Sequence, residues 1–304
     1  MSWKAIAQSV KGTSHIKSEL PCQDFGSYTV VNDNIIIGAV ADGAGSAKYS
    51  DVGSQLTVEA TLNYLKEWML GIINKGKVDL SKPIPLDNAK YIFQKTLEQV
   101  LISLNRELEE VYLYSLRDLS CTLLAFVATP DWMAAMQIGD GFIVMRSQNP
   151  NSGYQLLFPP DKGEYANQTT FVTSASALSK LQVKVIPEAP KFIVAATDGL
   201  ERMAIDFGKQ QAHAPFFRPF EKGLEKSVEE NKVEEERQDV IDLLNSEQIN
   251  SKTDDDKTIL VGIYSCLPGQ VNNSPTKNKS GEIESSIIII NNKKNKKSNS
   301  SLIP

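Results

Sequence analysis

The sequence predicts an α+β fold in which antiparallel β-sheets are covered by helices. Strand-like runs come in a pair near the start of the chain, two long helical patterns follow, and strand-like runs fill most of the second half. No internal repeat is visible. Because strands and helices occur in separate blocks and do not alternate, parallel βαβ units are not favoured.

The first two strands form a predicted hairpin. Ser27–Val31 and Ile35–Ala41 are rich in β-branched and apolar residues. The three residues between them, Asn32, Asp33 and Asn34, are typical of a turn.

Two long amphipathic helices are predicted next. Apolar side chains recur about four residues apart from residue 51 to about residue 72, and again over residues 93–111. A polar connection with two prolines, Pro83 and Pro85, separates them. We interpret both apolar stripes as faces packed in the core.

The pattern returns to strands from Ser120 onward. The change from a helical period to continuous β-rich runs marks these segments. We predict strands at residues 121–128, 133–138, 142–146, 192–197 and 258–264, a hairpin or loop at residues 153–163, and a polar, mostly helical segment from about residue 201 to residue 245.

Composition divides the chain into two parts. Residues 1–266 have the composition of a globular domain, whereas residues 267–304 are rich in Asn, Lys and Ser. Such a segment buries too little apolar surface to offset its chain entropy, so we expect a disordered tail. The apolar stretch Ile287–Ile290 leaves open the alternative that the tail docks on a partner.

The charge distribution argues against a nucleic-acid partner. The net charge of the 304 residues is −5, and the tail contributes +4, so that residues 1–266 carry about −9. Affinity for nucleic-acid phosphates comes mainly from Lys and Arg side chains. We expect no nucleic-acid binding.

No membrane or secretory signal is expected. The longest apolar run, Ile35–Ala41, is far shorter than the about 20 residues that a membrane helix needs. The three cysteines, Cys22, Cys121 and Cys266, are far apart and odd in number, which argues against a disulfide framework and a zinc–thiolate site. A cytoplasmic protein is the simplest expectation.

Four aspartates stand where a predicted strand meets a turn. Asp42 and Asp198 each follow a strand and precede a glycine, Asp24 precedes the first hairpin strand, and Asp255 precedes the last strand. Taken singly, each has an ordinary alternative as a turn residue, because Asp-Gly is a common turn dipeptide. Their repetition suggests that several carboxylates meet at one edge of the sheets.

Carboxylates gathered so closely need a compensating cation. Without one, their mutual repulsion forces some of them to stay protonated. Mg²⁺ and Mn²⁺ suit an all-oxygen site, and the small residues after Asp42 would let the backbone offer a carbonyl to an ion. Two such ions could activate a bridging water and neutralise a phosphoryl group.

These motifs resemble those of the metal-dependent type-2C protein phosphatases, with the bacterial branch most similar. The resemblance covers about residues 1–265. It rests on six motifs in the family's order and approximate spacing: Gln23-Asp24, Val40-Ala-Asp42-Gly-Ala-Gly, Ser120-Cys-Thr-Leu, Ile138-Gly-Asp140-Gly, Thr197-Asp198-Gly-Leu and Asp255-Asp-Lys-Thr258. The resemblance implies an α-β-β-α sandwich, in which two packed antiparallel sheets have helices on both outer faces.

The resemblance also implies a set of metal ligands. Asp42 would bridge two Mn²⁺ or Mg²⁺ ions, and the carbonyl of Gly43 would bind one of them. Asp198 and Asp255 would complete the other ion's carboxylate shell. Asp24 would act in the same site, directly or through water.

A third, weaker metal is implied at Asp140 together with Asp198, and a turn residue is the alternative for Asp140. Many members have an acid four residues after the Asp of the Asp198 motif, where this chain has Arg202. That difference weakens the third site. Residues 161–174 match a variable flap beside the family's active site, with a plain surface loop as the alternative.

Two departures concern substrate binding and proton transfer. Many members have a histidine after the second motif's Asp-Gly, where this chain has Ala44, so a metal-bound water would serve as the acid. Many also carry an arginine before the Gln-Asp motif that grips the substrate phosphate. His15 is our candidate for that role and Lys48 a second one, since both can donate to a phosphate oxygen. A merely packed or exposed histidine is the alternative for His15, and His213 is interpreted as structural.

The predicted function is therefore hydrolysis of phosphoserine and phosphothreonine in proteins. Water bridging two metal ions would attack phosphorus directly, with Asp24, Asp42 and His15 as catalytic residues. An opposing Ser/Thr kinase and a monomeric, cytoplasmic enzyme are expected. The alternative is an inactive member that binds phosphoproteins as a regulator. A covalent aspartyl phosphatase would need an Asp-x-Asp motif that the Asp42 loop lacks.

Overall fold

The computed structural model describes residues 1–76, 78–110, 115–159 and 169–265. The predicted tail, residues 267–304, lies outside the described residues. So do Cys266 and residues 161–168 of the predicted flap.

Twelve strands are present in the described part of the chain. They are β1 (Ser2–Val10), β2 (Phe25–Val31), β3 (Ile35–Ala41), β4 (Leu123–Ala128), β5 (Met133–Ile138), β6 (Phe142–Ser147), β7 (Gln155–Leu156), β8 (Gln182–Ile186), β9 (Pro190–Ala196), β10 (Ile205–Asp206), β11 (Gln211–Ala212) and β12 (Lys257–Ser265). One sheet has the order β1-β12-β9-β6-β7 and the other β2-β3-β4-β5-β8, while β10 and β11 form a separate ribbon. Every pairing is antiparallel.

Eight helices are described, and the long ones cover the outer faces of the sheets. They are α1 (Thr13–Lys17), α2 (Ser50–Lys75), α3 (Leu86–Glu110), α4 (Ala177–Lys180), α5 (Glu201–Ala204), α6 (Ala214–Glu229), α7 (Val233–Leu244) and α8 (Glu247–Asn250), with 3₁₀ turns at Leu116–Leu119 and Asp198–Leu200. Among these described helices, none combines the length and the apolar character that crossing a bilayer requires.

Strand β3 shows why the central strands have continuous apolar runs in the sequence. Ile35, Ile37 and Ala39 belong to the core beneath α2 and α3. The alternate residues Ile36 and Val40 belong to the core between the two sheets. Because both faces of the strand are covered, both sets of side chains are buried. The predicted α-β-β-α sandwich is confirmed.

A second outer core lies on the other sheet. Phe192 and Val194 of β9 pack there with Phe217 and Leu224 of α6. The helical segment predicted over residues 201–245 is therefore real, but the β10–β11 ribbon interrupts it. That ribbon is too short for its two-residue strands to show a period in the sequence.

Besides the β10–β11 ribbon, two longer strands, β1 and β8, were not predicted from the sequence. Strand β1 pairs along its whole length with β12, from Ser2 opposite Ser265 to Val10 opposite Lys257. Strand β8 pairs with β5 at the edge of the other sheet. Both are edge strands with several half-exposed residues, so their apolar patterns are weak.

Candidate active site

Antiparallel register brings the sequence-predicted aspartates to one end of the sandwich. Strand β3 ends at Ala41, opposite Phe25, which places Asp42 beside Asp24. In the other sheet, Ala196 at the end of β9 pairs with Phe142 of β6 and with Ile259 of β12. The residues just beyond these pairs, Asp140, Asp198 and Asp255, therefore meet at the same end.

These residues line a small cleft of about 200 Å³. Carboxylate oxygens of Asp42, Asp140 and Asp198 lie within 4.8 Å of one another. Asp255 and His15 line the same cleft. Among the described lining residues there is no lysine or arginine. The buried Lys257 interacts electrostatically with Asp24, Asp255 and Asp256 from outside this lining, and its Nζ donates to Asn250 Oδ1 at 2.8 Å.

Asp24 lies beneath the cleft and is 4% exposed. Its carboxylate accepts a hydrogen bond from Thr197 Oγ1 at 2.7 Å and shares another with the Asp42 carboxyl group. Thr197 Oγ1 in turn accepts from the Thr258 N–H at 3.0 Å. Asp24 is therefore fixed by both strands that flank Asp198 and Asp255.

Burial and mutual repulsion raise the pKa values of the clustered aspartates. Burial raises the pKa of Asp24 to about 8, with Asp256 and Asp255 adding repulsion. Burial raises the pKa of Asp42 well above its usual range, helped by Asp24 and Asp198. The pKa of Asp198 rises to about 7 through burial and the nearby Asp140. Burial also raises the pKa of Asp255.

The loop after Asp42 has no room for a larger residue at Gly43. A Cβ atom there would lie 2.6 Å from the Gln23 carbonyl oxygen, which accepts the Gly43 N–H at 3.1 Å. The Asp42 N–H donates to Thr122 Oγ1 at 2.9 Å, and the Ala44 N–H donates to the Ser120 carbonyl at 2.9 Å. The backbone beside the cleft is thus held on both sides.

One carboxylate oxygen of Asp140 accepts a hydrogen bond, and the other is buried without a partner among the described residues. Thr169 Oγ1 donates a hydrogen bond to Oδ2 of Asp140. Oδ1 is buried and makes no hydrogen bond within the described residues. An unsatisfied buried oxygen that faces neighbouring carboxylates is costly, and a cation would satisfy it.

His15 approaches the cleft from α1. Its Nδ1 lies 2.9 Å from Oδ2 of Asp256, and its side chain is 14% exposed. Asp256 was not selected from the sequence, where it is one of three consecutive aspartates. It also accepts the backbone N–H groups of Gly12 and Gln23, each at 2.6 Å.

Three other residues that the sequence singled out, Lys48, Arg202 and His213, do not line the cleft. Lys48 is exposed, is not a lining residue, and holds its Nζ 4.9 Å from the centre of the Tyr49 ring. Arg202 lines a neighbouring groove of about 430 Å³ together with Asp198 and Asp255. His213 immediately precedes α6 and lines a third depression with Met203 and Phe216, and none of the clustered aspartates lines that depression.

The sequence reasoning missed the threonines and Asp256, which hold the acids. Thr122 and Thr197 do stand inside motifs that the resemblance used, and Thr197 directly precedes Asp198. Thr169 stands in a loop with no distinguishing pattern, and only the fold brings it to Asp140.

Comparison with known proteins gives a consistent result. The family model "Protein phosphatase 2C" matches residues 11–237. The chain is 32% identical over 268 residues to serine/threonine-protein phosphatase 3 of Escherichia coli (strain K12), which covers 87% of this chain and 99% of that protein.

Solved structures agree on the fold. A serine/threonine phosphatase of S. agalactiae matches with a TM-score of 0.54 and 16% identity, over 86% of this chain and 100% of that one. A serine/threonine phosphatase from Staphylococcus aureus matches with a TM-score of 0.55 and 11% identity, over 88% and 96%. At these identities the likeness concerns the fold. Since the family model spans most of the globular part, the chain belongs to the protein phosphatase 2C family, and its predicted class, a phosphoprotein phosphatase, is confirmed.

Proposed function

We propose that this enzyme hydrolyses phosphoserine and phosphothreonine in proteins at the cleft, with two Mn²⁺ or Mg²⁺ ions and a third, weaker one. The observation that carries the proposal is the meeting of Asp42, Asp140 and Asp198 oxygens within 4.8 Å of one another. No lysine or arginine lines the described cleft. Hard divalent ions are the natural complement of such an all-oxygen site.

The residues present fit these ions. Asp42 would bridge two of them, with the Gly43 carbonyl, Asp198 and Asp255 completing their ligands. Asp24 would act from beneath, by orienting Asp42 or through water. The close approach that only glycine allows at position 43 leaves its backbone accessible beside the carboxylates. Bound ions supply an activated water and neutralise the phosphoryl charge.

Asp140 and Asp198 would hold the third ion. The buried, unpartnered Oδ1 of Asp140 supports this role, because an ion would satisfy it. Arg202 lines the adjoining groove together with Asp198, at the position where many family members have an acid that would strengthen the site. We therefore expect the third ion to bind weakly.

The chain's own residues bind the substrate. His15 lines the cleft beside Asp42 and Asp255, where it would contact the phosphoryl group. Lys48, exposed outside the cleft, would at most contact a phosphate or acidic side chain of a bound protein substrate. Direct attack by water leaves no phosphorylated enzyme intermediate.

The wider assignments follow from this activity. We propose that residues 1–266 form the phosphatase domain and that residues 267–304 are a tail dispensable for catalysis. A phosphoprotein substrate implies an opposing Ser/Thr kinase, and we propose a signalling pair in a bacterial cytoplasm in which the phosphatase acts as a monomer. The alternative, an inactive phosphoprotein-binding regulator, is not supported, because the relatives that the chain matches are named as phosphatases.

The test is hydrolysis of a phosphothreonine peptide with millimolar Mn²⁺ or with EDTA. We expect turnover only with Mn²⁺. Asp42→Asn and Asp198→Asn should each lower kcat by roughly 10³-fold or more, since metal-ion catalysis supplies several kcal/mol and each 1.4 kcal/mol is tenfold.

Asp131→Asn is the matched control, because Asp131 is an exposed aspartate in the turn between β4 and β5. It should leave turnover unchanged. Full activity of Asp42→Asn in Mn²⁺ would refute the site. Thermal stabilisation by Mn²⁺ without any turnover by the unaltered protein would favour the regulator.

A further inference from the structure

A histidine–carboxylate pair stands at the edge of the cleft. Oδ2 of Asp256 lies 2.9 Å from Nδ1 of His15 and accepts the Gln23 N–H at 2.6 Å, while Oδ1 accepts the Gly12 N–H at 2.6 Å. The Asp256 side chain is only 2% exposed. Both of its oxygens are thus committed to donors from the segment that carries His15 and Asp24.

Close packing fixes the two loops that form this pair. A Cβ atom on Gly12 would lie 2.3 Å from the Asp255 carbonyl carbon, so only glycine permits this approach. Ser14 donates to the Asp254 carbonyl twice, from its N–H at 2.9 Å and from its hydroxyl at 2.6 Å. The backbone that leads into His15 is therefore held against residues 254–255.

The hydrogen bonds assign the roles of the ring nitrogens. Because Asp256 accepts from two backbone N–H groups, Nδ1 of His15 faces it as a third donor. Nε2, on the opposite side of the ring, has no partner among the described residues and is the nitrogen left for a ligand in the cleft. To donate a proton from Nε2, the ring must carry hydrogens on both nitrogens, with Nδ1–H directed at Asp256 and Nε2–H left for the cleft.

We propose that His15 is the general acid of this phosphatase and that Asp256 is the residue that positions it. The inference rests on the proposed function. It differs from the sequence expectation that a metal-bound water serves as the acid. Ala44, the other position considered, is buried and has no group that could donate a proton.

In the proposed step, His15 protonates the leaving oxygen. A water oxygen forms a bond to phosphorus while the bond from phosphorus to the seryl or threonyl oxygen breaks. The electron pair of that bond stays on the leaving oxygen, which takes the proton of His15 Nε2. One proton of the attacking water remains on the phosphate and the other passes to solvent, from which the imidazole regains its own.

The test compares leaving groups in the full-length, Mn²⁺-loaded enzyme. A phosphothreonine peptide releases a basic alkoxide that needs a proton, whereas para-nitrophenyl phosphate releases a stable phenolate. His15→Ala should lower kcat by about 10²-fold or more on the peptide and by less than about threefold on para-nitrophenyl phosphate, in line with general acid catalysis. Added imidazole should restore part of the peptide activity.

Asp256→Asn should show the same selectivity with a smaller loss, about tenfold on the peptide, because it loosens the ring without removing it. Ser18→Ala, at an exposed residue directly after α1, is the control and should show no selectivity between the substrates. If Asp256→Asn fails to fold, His15→Ala and its rescue still decide the question.

An equal loss on both substrates in His15→Ala would overturn the proposal and leave His15 as a phosphate contact. Mn²⁺ titration by calorimetry on the same variant must show unchanged binding, since lost metal would lower both activities together. Failure of the proposed function itself is distinguishable, because the unaltered enzyme would then hydrolyse neither substrate in Mn²⁺.

Discussion

This protein contains two groups of buried carboxylates that are compensated in opposite ways. Glu221 of α6 is 5% exposed and accepts hydrogen bonds from the Arg146 guanidinium and the Tyr154 hydroxyl, with Lys191 Nζ 4.0 Å away. In the cleft, Asp24, Asp42 and Asp198 are surrounded by other carboxyl groups, and their pKa values are raised by burial and repulsion.

The comparison distinguishes buried acids that stabilise the fold from buried acids that can bind a ligand. The Glu221 group joins α6 to β6 and β9, and its charge is balanced within the chain. The cleft has no such balance among its described lining residues, which is energetically costly unless a cation arrives from outside. A buried acid with its own arginine holds the fold together, and a group of acids without one marks a site for a ligand.

The largest expected effect is the pH dependence of stability in EDTA. Raised native pKa values mean that Asp24 and Asp198 bind protons more tightly in the folded than in the unfolded protein. The free energy of unfolding should therefore fall as pH rises from about 4, where unfolded aspartates titrate, to about 8. Urea denaturation across this range measures it.

Saturating Mn²⁺ should abolish this dependence of the free energy of unfolding on pH, because the bound ion takes the place of the protons on the aspartates. Asp24→Asn should flatten it in EDTA, whereas the control Asp131→Asn should not. A metal-free stability that rises steadily between pH 5 and pH 8 would contradict the electrostatic comparison.

An intermediate effect is expected from Arg146→Met. The substitution keeps an apolar stem but leaves Glu221 buried without its main partner. The free energy of unfolding should fall by about 3 kcal/mol, the lower end for breaking a buried ion pair. Urea denaturation at pH 7 would measure the loss.

Adding Glu221→Gln to Arg146→Met should recover part of that loss, because the unpaired charge is then removed. Mn²⁺ affinity and kcat should stay unchanged in both variants. A clear loss of metal binding would show that the two carboxylate groups are not independent.

The smallest effect is expected from Thr169→Val, which removes the donor to Asp140 and keeps the side-chain shape. A hydrogen bond of this kind contributes about 1 kcal/mol net, so the Mn²⁺ concentration for half-maximal activity should rise about fivefold. Activity at saturating Mn²⁺ should change little. Thr173→Val, which removes a hydrogen bond to Ser120 Oγ in the same segment, is the control and should leave the metal response unaltered.

Much of the fold was predictable because it depends on local patterns. The helix predicted over residues 51–72 is α2 (Ser50–Lys75), and it ends at Gly76, whose φ of 59° favours glycine. The predicted second helix begins earlier than its apolar stripe, at Leu86. Strand β1 was missed, since its apolar residues become informative only when β12 and the opposite sheet cover them.

The candidate site was likewise only partly predictable from the sequence. The sequence by itself determined that aspartates end several strands, and six motifs in order indicated the family, because each motif is a local feature of chain direction and turn chemistry. The tertiary structure decided which neighbours each acid has. Asp255 and Asp256 are chemically identical neighbours in the chain, yet Asp255 lies in the acidic cluster and Asp256 turns to His15, 241 residues away in sequence. Only the pairing of distant strands and loops sets such contacts, and no local pattern encodes them.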